Sequence, residues 1–206
     1  MEQRKMNERE DPRVLRTRHL LLQAFSDLFS EKGFHAMTVQ DITEQARVNR
    51  GTFYTHFEDK YAILECWLRE QFQQRVASRV PGSDLWHLST FQVLIESVIE
   101  WFTQLHQLTR SADRSLIPLV VTTLQEALFD LLWQGFKPVI GSGLDQQVDL
   151  ETVAMVTSWA IFGTGFKCFN QWDEQTMTLS PEELASQVTK VLIRGLAQVL
   201  PAFPLK

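Results

Sequence analysis

The chain has 206 residues, 44% hydrophobic and 22% charged, with a formal net charge of −5 and two cysteines. That length buries a sizeable core in one or two domains, and the composition excludes a disordered chain. No apolar run could span a bilayer, and the charged start Met1-Glu-Gln-Arg-Lys5 predicts no secretory signal; Cys66 and Cys168, far apart in sequence, argue against a disulfide scaffold or a Cys-based zinc site and for a reducing, cytoplasmic setting.

The acidic total conceals an asymmetry. Residues 1–79 hold 13 of the 20 Lys+Arg and 12 of the 25 Asp+Glu, a net of +1, which leaves −6 for the rest. Arg4, Lys5, Arg9, Arg13, Arg16 and Arg18 form one basic stretch, and Arg47, Arg50 and Lys60 recur further on. A small nucleic-acid module on an acidic body is compatible with this split, and so is an ordinary solvated surface.

Helical periodicity dominates and strand-like alternation is scarce, so the fold class is all-α with about nine helices and no sheet. The first helix starts at Asp11-Pro12-Arg13, where Asp caps and Pro sits in the first turn. Its apolar face is Leu21, Ala24, Phe25, Leu28 and Phe29, and Gly33 ends it. Thr38 caps a short second helix with Asp41 in a capping-box position, and Ile42 and Ala46 face inward. Asn49 caps a third short helix, Arg50 to Phe57, whose Phe53 and Phe57 share the inner face. Glu58-Asp59 opens a longer helix from Lys60 to about Val80, with acid at the positive end of the helix dipole.

Pro81-Gly82-Ser83 reads as a break. Beyond it Phe91, Leu94, Ile95, Val98, Ile99, Phe102 and Leu105 form one stripe. Pro118 marks a helix start or a kink, and Val121, Leu124, Leu128, Leu131 and Leu132 continue to about Phe136. Gly141-Ser-Gly143 is a loop. A helix from Asp149 or Leu150 to Trp172 is apolar on more than one side. Ser180-Pro-Glu-Glu183 combines a Ser cap, Pro at the first position and Glu at the third, ahead of the last long helix.

Residues 38–57 are two short helices joined by a tight turn behind a longer helix, which is helix-turn-helix geometry. With Phe53 and Phe57 committed to the core, the third helix presents Arg50, Gly51, Thr52, Tyr54, Thr55 and His56. These are small or polar donors of the kind a major groove requires. Gly51 permits close approach.

Thr38-Val-Gln-Asp-Ile-Thr-Glu-Gln-Ala46 and Val48-Asn-Arg-Gly-Thr-Phe-Tyr-Thr-His-Phe-Glu-Asp-Lys60 closely resemble the DNA-binding signature of the tetracycline-repressor-like (TetR/AcrR) transcription regulators. The resemblance covers roughly residues 13–73. It departs at Arg47, where a glycine often stands in the interhelical turn; Arg47 either strains the turn or places an extra cation near DNA. The resemblance implies a flexible polar arm (1–12), a helix-turn-helix DNA-binding domain (13–73) and a helical effector-binding and dimerisation domain (74–206). It also implies a cytoplasmic, homodimeric, ligand-responsive regulator, most often a repressor, that binds a near-palindromic double-stranded operator and is released by a small-molecule effector. Thr38, through hydroxyl and amide, and Gln40 would bond phosphates. Arg50, Gly51, Thr52 and Thr55 would reach base edges, with Arg50 reading guanine. Tyr54, His56 and Lys60 would hold phosphates; Arg47 and Asn49 complete the expected DNA-binding set, and Arg16 and Arg18 would add backbone contacts.

One such module reads few bases, and two-fold dimers place two recognition helices about 34–36 Å apart. Trp159, Phe162, Phe166 and Phe169 on one of the last two helices, and Leu184, Val188, Val191, Leu192, Leu196 and Val199 on the other, are the interface candidates. Gly163 and Gly165 would permit close helix approach. The alternative is that these residues are monomer core. For the effector, expected to be apolar or aromatic, the pocket candidates are Trp101, Phe102, His106, Phe129, Trp133, Trp159 and Cys168. These too are the residues of an ordinary aromatic core.

No enzyme motif is present: no HExxH, P-loop, dinucleotide fingerprint or GxSxG, and no histidine pairs with Cys or carboxylate at a metal-ligand spacing. No catalytic residue, cofactor or metal is expected. A protein-binding module that uses the same helices on a protein partner is the rival reading, and an exposed apolar patch away from the dimer face would favour it. A membrane role has no support.

Overall fold

In the computed structural model residues 11–80, 88–109, 114–137, 148–171 and 179–199 are described, and all regular structure among them is helical. The helices are α1 (Pro12–Ala36), α2 (Val39–Ala46), α3 (Arg50–His56), α4 (Lys60–Arg79), α5 (Leu88–Thr109), α6 (Ile117–Phe136), α7 (Leu150–Gln171) and α8 (Pro181–Val199), with a 3-10 turn at Arg114–Leu116 leading into α6. Pro118 therefore marks a helix start, not a kink. The Pro81-Gly82-Ser83 break, the Gly141-Ser-Gly143 loop and residues 1–10 lie outside the described residues.

The chain divides into two units, Met1–Trp67 and Leu68–Lys206. In the first, α1 packs on α2 and α2 on α3. Leu21, Phe25, Phe34, Met37, Ile42, Phe53, Ile63 and Leu64 form its buried core. Phe25 and Phe29 stack, and both meet the Trp67 ring, at 5.8 and 5.0 Å. Gly33 breaks α1 at φ 75°, ψ 170°. That conformation is essentially closed to any residue with a side chain, so the glycine is what lets the chain turn toward α2.

In the second unit α5 packs on α7 and α8, and α6 packs on α7. The α5 stripe Phe91, Leu94, Ile95, Val98, Ile99 and Phe102 is buried throughout. Phe102 meets Trp101, Phe162 and Phe166 edge-on. At Gly165 a Cβ would sit 2.5 Å from the Phe102 ring, so α7 approaches α5 only because residue 165 has no side chain. Arg69 bridges to Asp130 (2.8 Å) and Glu126 (3.2 Å), tying α4 to α6 across a solvated surface, where such pairs contribute at most about 1 kcal/mol. The Ser180 cap is reciprocal: Glu183 N donates to Ser180 Oγ (3.2 Å) and Ser180 N to Glu183 Oε2 (2.8 Å).

Candidate nucleic-acid interface

Three local devices set the geometry of α2 and α3. The first is the capping box at the start of α2. Thr38 N and Oγ1 both donate to Asp41 Oδ2 (2.7 Å each), and Asp41 N donates to Thr38 Oγ1 (3.2 Å). Lys32 Nζ sits 3.0 Å from the other carboxylate oxygen. The Thr38 hydroxyl first, and Lys32 next, hold the Asp41 carboxyl down to about 2.

The second device is the turn. Arg47 N donates to Glu44 O (3.1 Å) and Val48 N to Thr43 O (3.0 Å), the paired bonds of a Schellman motif. Arg47 occupies its left-handed position at φ 56°, ψ 43° and is the one described non-glycine residue with positive φ. A glycine is favoured here for that reason. The third device is Asn49, whose Oδ1 accepts from Thr52 N (2.8 Å) and Thr52 Oγ1 (3.1 Å). A Cβ on Gly51 would lie 3.2 Å from that oxygen, so Gly51 also keeps the cap uncrowded.

Phe53 is fully buried and Phe57 nearly so, and they orient α3. Burying each ring contributes about 2–3 kcal/mol, which outweighs any single polar contact on the opposite face. That face presents Arg50, Gly51, Tyr54 and Thr55 to solvent, with Thr52 and His56 half-buried; Tyr54 is 47% exposed.

The donors on this face are held by neighbours. Arg50 Nη2 donates to Tyr54 Oη (3.1 Å), with the guanidinium 5.6 Å from that ring. Gln40 Nε2 donates to Glu44 Oε1 (2.8 Å), and Thr55 Oγ1 to Thr52 O (2.7 Å). Exposed pairs of this kind are worth about 0.2–0.5 kcal/mol, whereas a hydrogen bond to a charged phosphate is worth about 1.5–3 kcal/mol, so the exchange favours DNA.

Two of the expected DNA contacts are engaged within the chain itself. The sequence assigns the Thr38 hydroxyl and amide to a phosphate, yet both are given to Asp41, because the capping box satisfies the first turn of α2 internally. Lys60, expected to meet a phosphate, donates to the carbonyls of Phe34 and Met37 (3.2 Å each) and sits 4.4 Å from the Phe34 ring. The end of α1 leaves those carbonyls without helical partners, and Lys60 satisfies them. Arg18 is likewise engaged, donating to Cys66 Sγ (2.9 Å) over the Phe57 ring, whereas Arg16 is exposed. Lys32, beside Asp41, is a cation at this edge that the motif reading omits.

Residues 21–65, which hold this whole arrangement from the core of α1 to the start of α4, match the family model described as bacterial regulatory proteins, tetR family. This segment is a tetR-family DNA-binding region, and the chain that carries it is a transcriptional regulator. The regulator is 37% identical over 68 residues to the uncharacterized HTH-type transcriptional regulator YxbF of Bacillus subtilis (strain 168), a match that spans 32% of this chain and only 18% of that protein. It is 29% identical over 154 residues to the HTH-type transcriptional repressor DhaR of Mycobacterium sp. (strain GP1), covering 69% of this chain and 78% of the relative. Its fold is shared with Thermus thermophilus FadR, a TetR-family repressor solved in complex with lauroyl-CoA, at a TM-score of 0.55 and 21% identity over 87% of this chain and 94% of the other.

In the second unit of the regulator the interface candidates divide. Trp159 (51%) and Val191 (72%) are exposed; Phe166, Leu184, Val188, Leu192 and Val199 are half-buried. Phe162 and Leu196 are buried within the single chain, Phe162 against Phe102 and Phe166, so they are core residues. Gly165 belongs to the same core, whereas Gly163 is exposed with open space around it. The Phe169 side chain lies outside the described residues. Met155 (45%) and Val156 (57%) extend the exposed face of α7 and are absent from the sequence reading; their four- and three-residue spacing to Trp159 was the available signal.

The pocket candidates differ in burial. Trp101, Phe102 and Cys168 are buried, and burial pushes the Cys168 thiol up. Phe129 and Trp133 stack on each other at 6.3 Å on α6. Trp159 faces solvent, and the His106 side chain lies outside the described residues. Among the described residues no three His, Cys, Asp or Glu side chains gather as a metal site, and no helix is long and apolar enough to cross a membrane.

Proposed function

We propose that the regulator binds a near-palindromic double-stranded operator as a homodimer, represses transcription by occupying the promoter, and is released by a small-molecule effector held in its second unit. It acts in the cytoplasm and not as an enzyme. The observation that carries this reading is the α3 face: a short helix fixed by two buried phenylalanines, with Arg50, Gly51, Tyr54 and Thr55 exposed and Thr52 half-buried beside them. Residues 13–73 serve as the DNA-binding domain and 74–206 as the effector and dimerisation domain.

Base contacts fall to Arg50, Gly51, Thr52 and Thr55; backbone contacts fall to Gln40, Arg47, Tyr54 and His56. Thr38 and Lys60 would join through hydrogen-bonding capacity left over from their internal bonds, and Asn49 acts chiefly by shaping the start of α3. The apolar exposure of Met155, Val156, Trp159 and Val191 supports a second copy packing on α7 and α8. The repressor activity in the name of DhaR, and the lauroyl-CoA bound to Thermus thermophilus FadR, support repression and effector binding. The protein-partner reading gains nothing from α1, where the exposed Val14, Leu15 and Leu20 point to different sides of the helix.

The test is selection of bound sequences from a random DNA pool at physiological salt, where non-specific binding is suppressed. A two-fold motif with half-sites about one helical turn apart supports the reading. Arg50→Ala should relax base preference, while Lys60→Ala should weaken all sequences alike and also lower stability. A folded dimer that enriches no motif overturns it.

A further inference from the structure

The second unit carries a cleft of about 450 Å³ lined by Gln71, Gln74, Arg75, Ser78 and Arg79 of α4 and by Trp101 of α5. Residues 71, 74, 75 and 78 share one face of α4. The cleft is largely polar and borders the aromatic core of α5 and α7 only at Trp101, the one expected pocket residue among its lining residues. Two arginines meet there in different states. Arg79 is bonded to Glu100 and is electrically compensated. Arg75 has no ion pair among the described residues, and its Nε–H is buried without a hydrogen-bond acceptor. Ser78 Oγ is turned back to Arg75 O (2.8 Å) and does not neutralise the guanidinium.

A buried, unpaired guanidinium N–H is a cost that an incoming acceptor removes. The guanidinium fork matches a carboxylate in two-point geometry. Gln71 and Gln74 add amide donors on the same face. Trp101, held edge-on by Phe72 and Phe102, supplies an apolar wall of fixed orientation. Among the described residues that line the cleft one cation is uncompensated, and Glu100 stands behind the other, so the charge balance suits a monoanion and disfavours a polyphosphate.

We propose that this cleft is a binding site for a small organic carboxylate, with its carboxyl on Arg75 and an apolar body against Trp101. The proposal rests on the effector reading above in one respect only, namely that occupancy would alter DNA binding.

The experiment uses the full-length protein and saturation-transfer NMR with benzoate, phenylacetate and hexanoate, each beside its neutral amide. Wild type should bind at least one acid about tenfold more tightly than its amide. Arg75→Gln should reduce that preference to about twofold or less, and Arg75→Lys should restore part of it. Melting curves for both variants keep folding and binding separate. If no acid binds at about 10 mM, or if the acid-over-amide preference survives in Arg75→Gln, the site is overturned. Operator binding is then read with the bound acid present. A carboxylate that binds through Arg75 but leaves DNA affinity unchanged upholds the site and overturns effector release; one that also lowers DNA affinity upholds both.

Discussion

Arg47 combines two effects that one substitution can separate. It sits at φ 56° in the left-handed position of the turn between α2 and α3. For a residue with a Cβ that conformation costs about 1–2 kcal/mol. Glycine removes this cost but gains unfolded-state freedom worth about 0.4–1 kcal/mol. Arg47→Gly should therefore stabilise the protein by about 0.5–1 kcal/mol, a rise in Tm of about 1–4 °C for a chain of this size. Arg47→Ala keeps the strained backbone and should not stabilise. Both variants remove one cation from each protomer, so both should lower the salt slope of operator binding by about two per dimer. The assay is thermal melting at fixed protein concentration, paired with a salt titration of DNA affinity. If Arg47→Gly melts no higher than Arg47→Ala, the strain argument fails. If the salt slope is unchanged in both, Arg47 does not meet a phosphate.

Three further outcomes follow from the geometry. The Asp41 carboxyl is lowered from 3.8 to about 2 in the fold, so its contribution to α2 is complete above about pH 4 and lost as pH falls through about 2. The Thr38 amide shift should report that titration by NMR and lose it in Asp41→Asn, and a titration near the ordinary carboxylate value would contradict the capping box. Gly165→Ala should destabilise by about 1–3 kcal/mol because its Cβ meets the Phe102 ring, whereas Gly163→Ala, with open space, should be neutral or stabilise by up to about 1 kcal/mol in denaturant unfolding. Equal effects at the two positions would refute their different surroundings. Val191→Glu should give monomers in sedimentation at micromolar concentration; Val191 is a cleaner probe than Leu192 because it is exposed in the single chain, and a variant still dimeric would exclude it from the interface.

What could be read from the sequence was local. The Thr38–Asp41 and Ser180–Glu183 boxes, the Asn49 cap and the Gly33 stop each involve residues a few positions apart, so spacing alone announces them. The α3 face was legible because Phe53 within the seven-residue helix and Phe57 at its C-cap, four residues apart, are the apolar positions that turn inward. Contacts distant in sequence were not. Lys60 finds its carbonyls 26 and 23 residues upstream, and no pattern in the sequence says that those carbonyls lack partners. On α7 the failure has another cause. Both sides of the helix are apolar, so periodicity could not say that Phe162 turns inward while Trp159, Met155 and Val156 turn outward. The cleft at Arg75 was hidden because an arginine on a charged helix looks the same whether or not it has a partner.

The internal holding of the DNA-facing donors has a consequence for anyone who wishes to redirect the regulator to a new operator. Arg50 is tied to Tyr54, Gln40 to Glu44, Thr38 to Asp41 and Thr52 to Asn49. Replacing one member changes the resting posture of the other, so the positions that read DNA do not vary independently. Libraries built one residue at a time would sample broken pairs and undervalue most substitutions. Non-additivity should be largest within these four couples and small between them. The natural unit of retargeting is thus the couple, varied together.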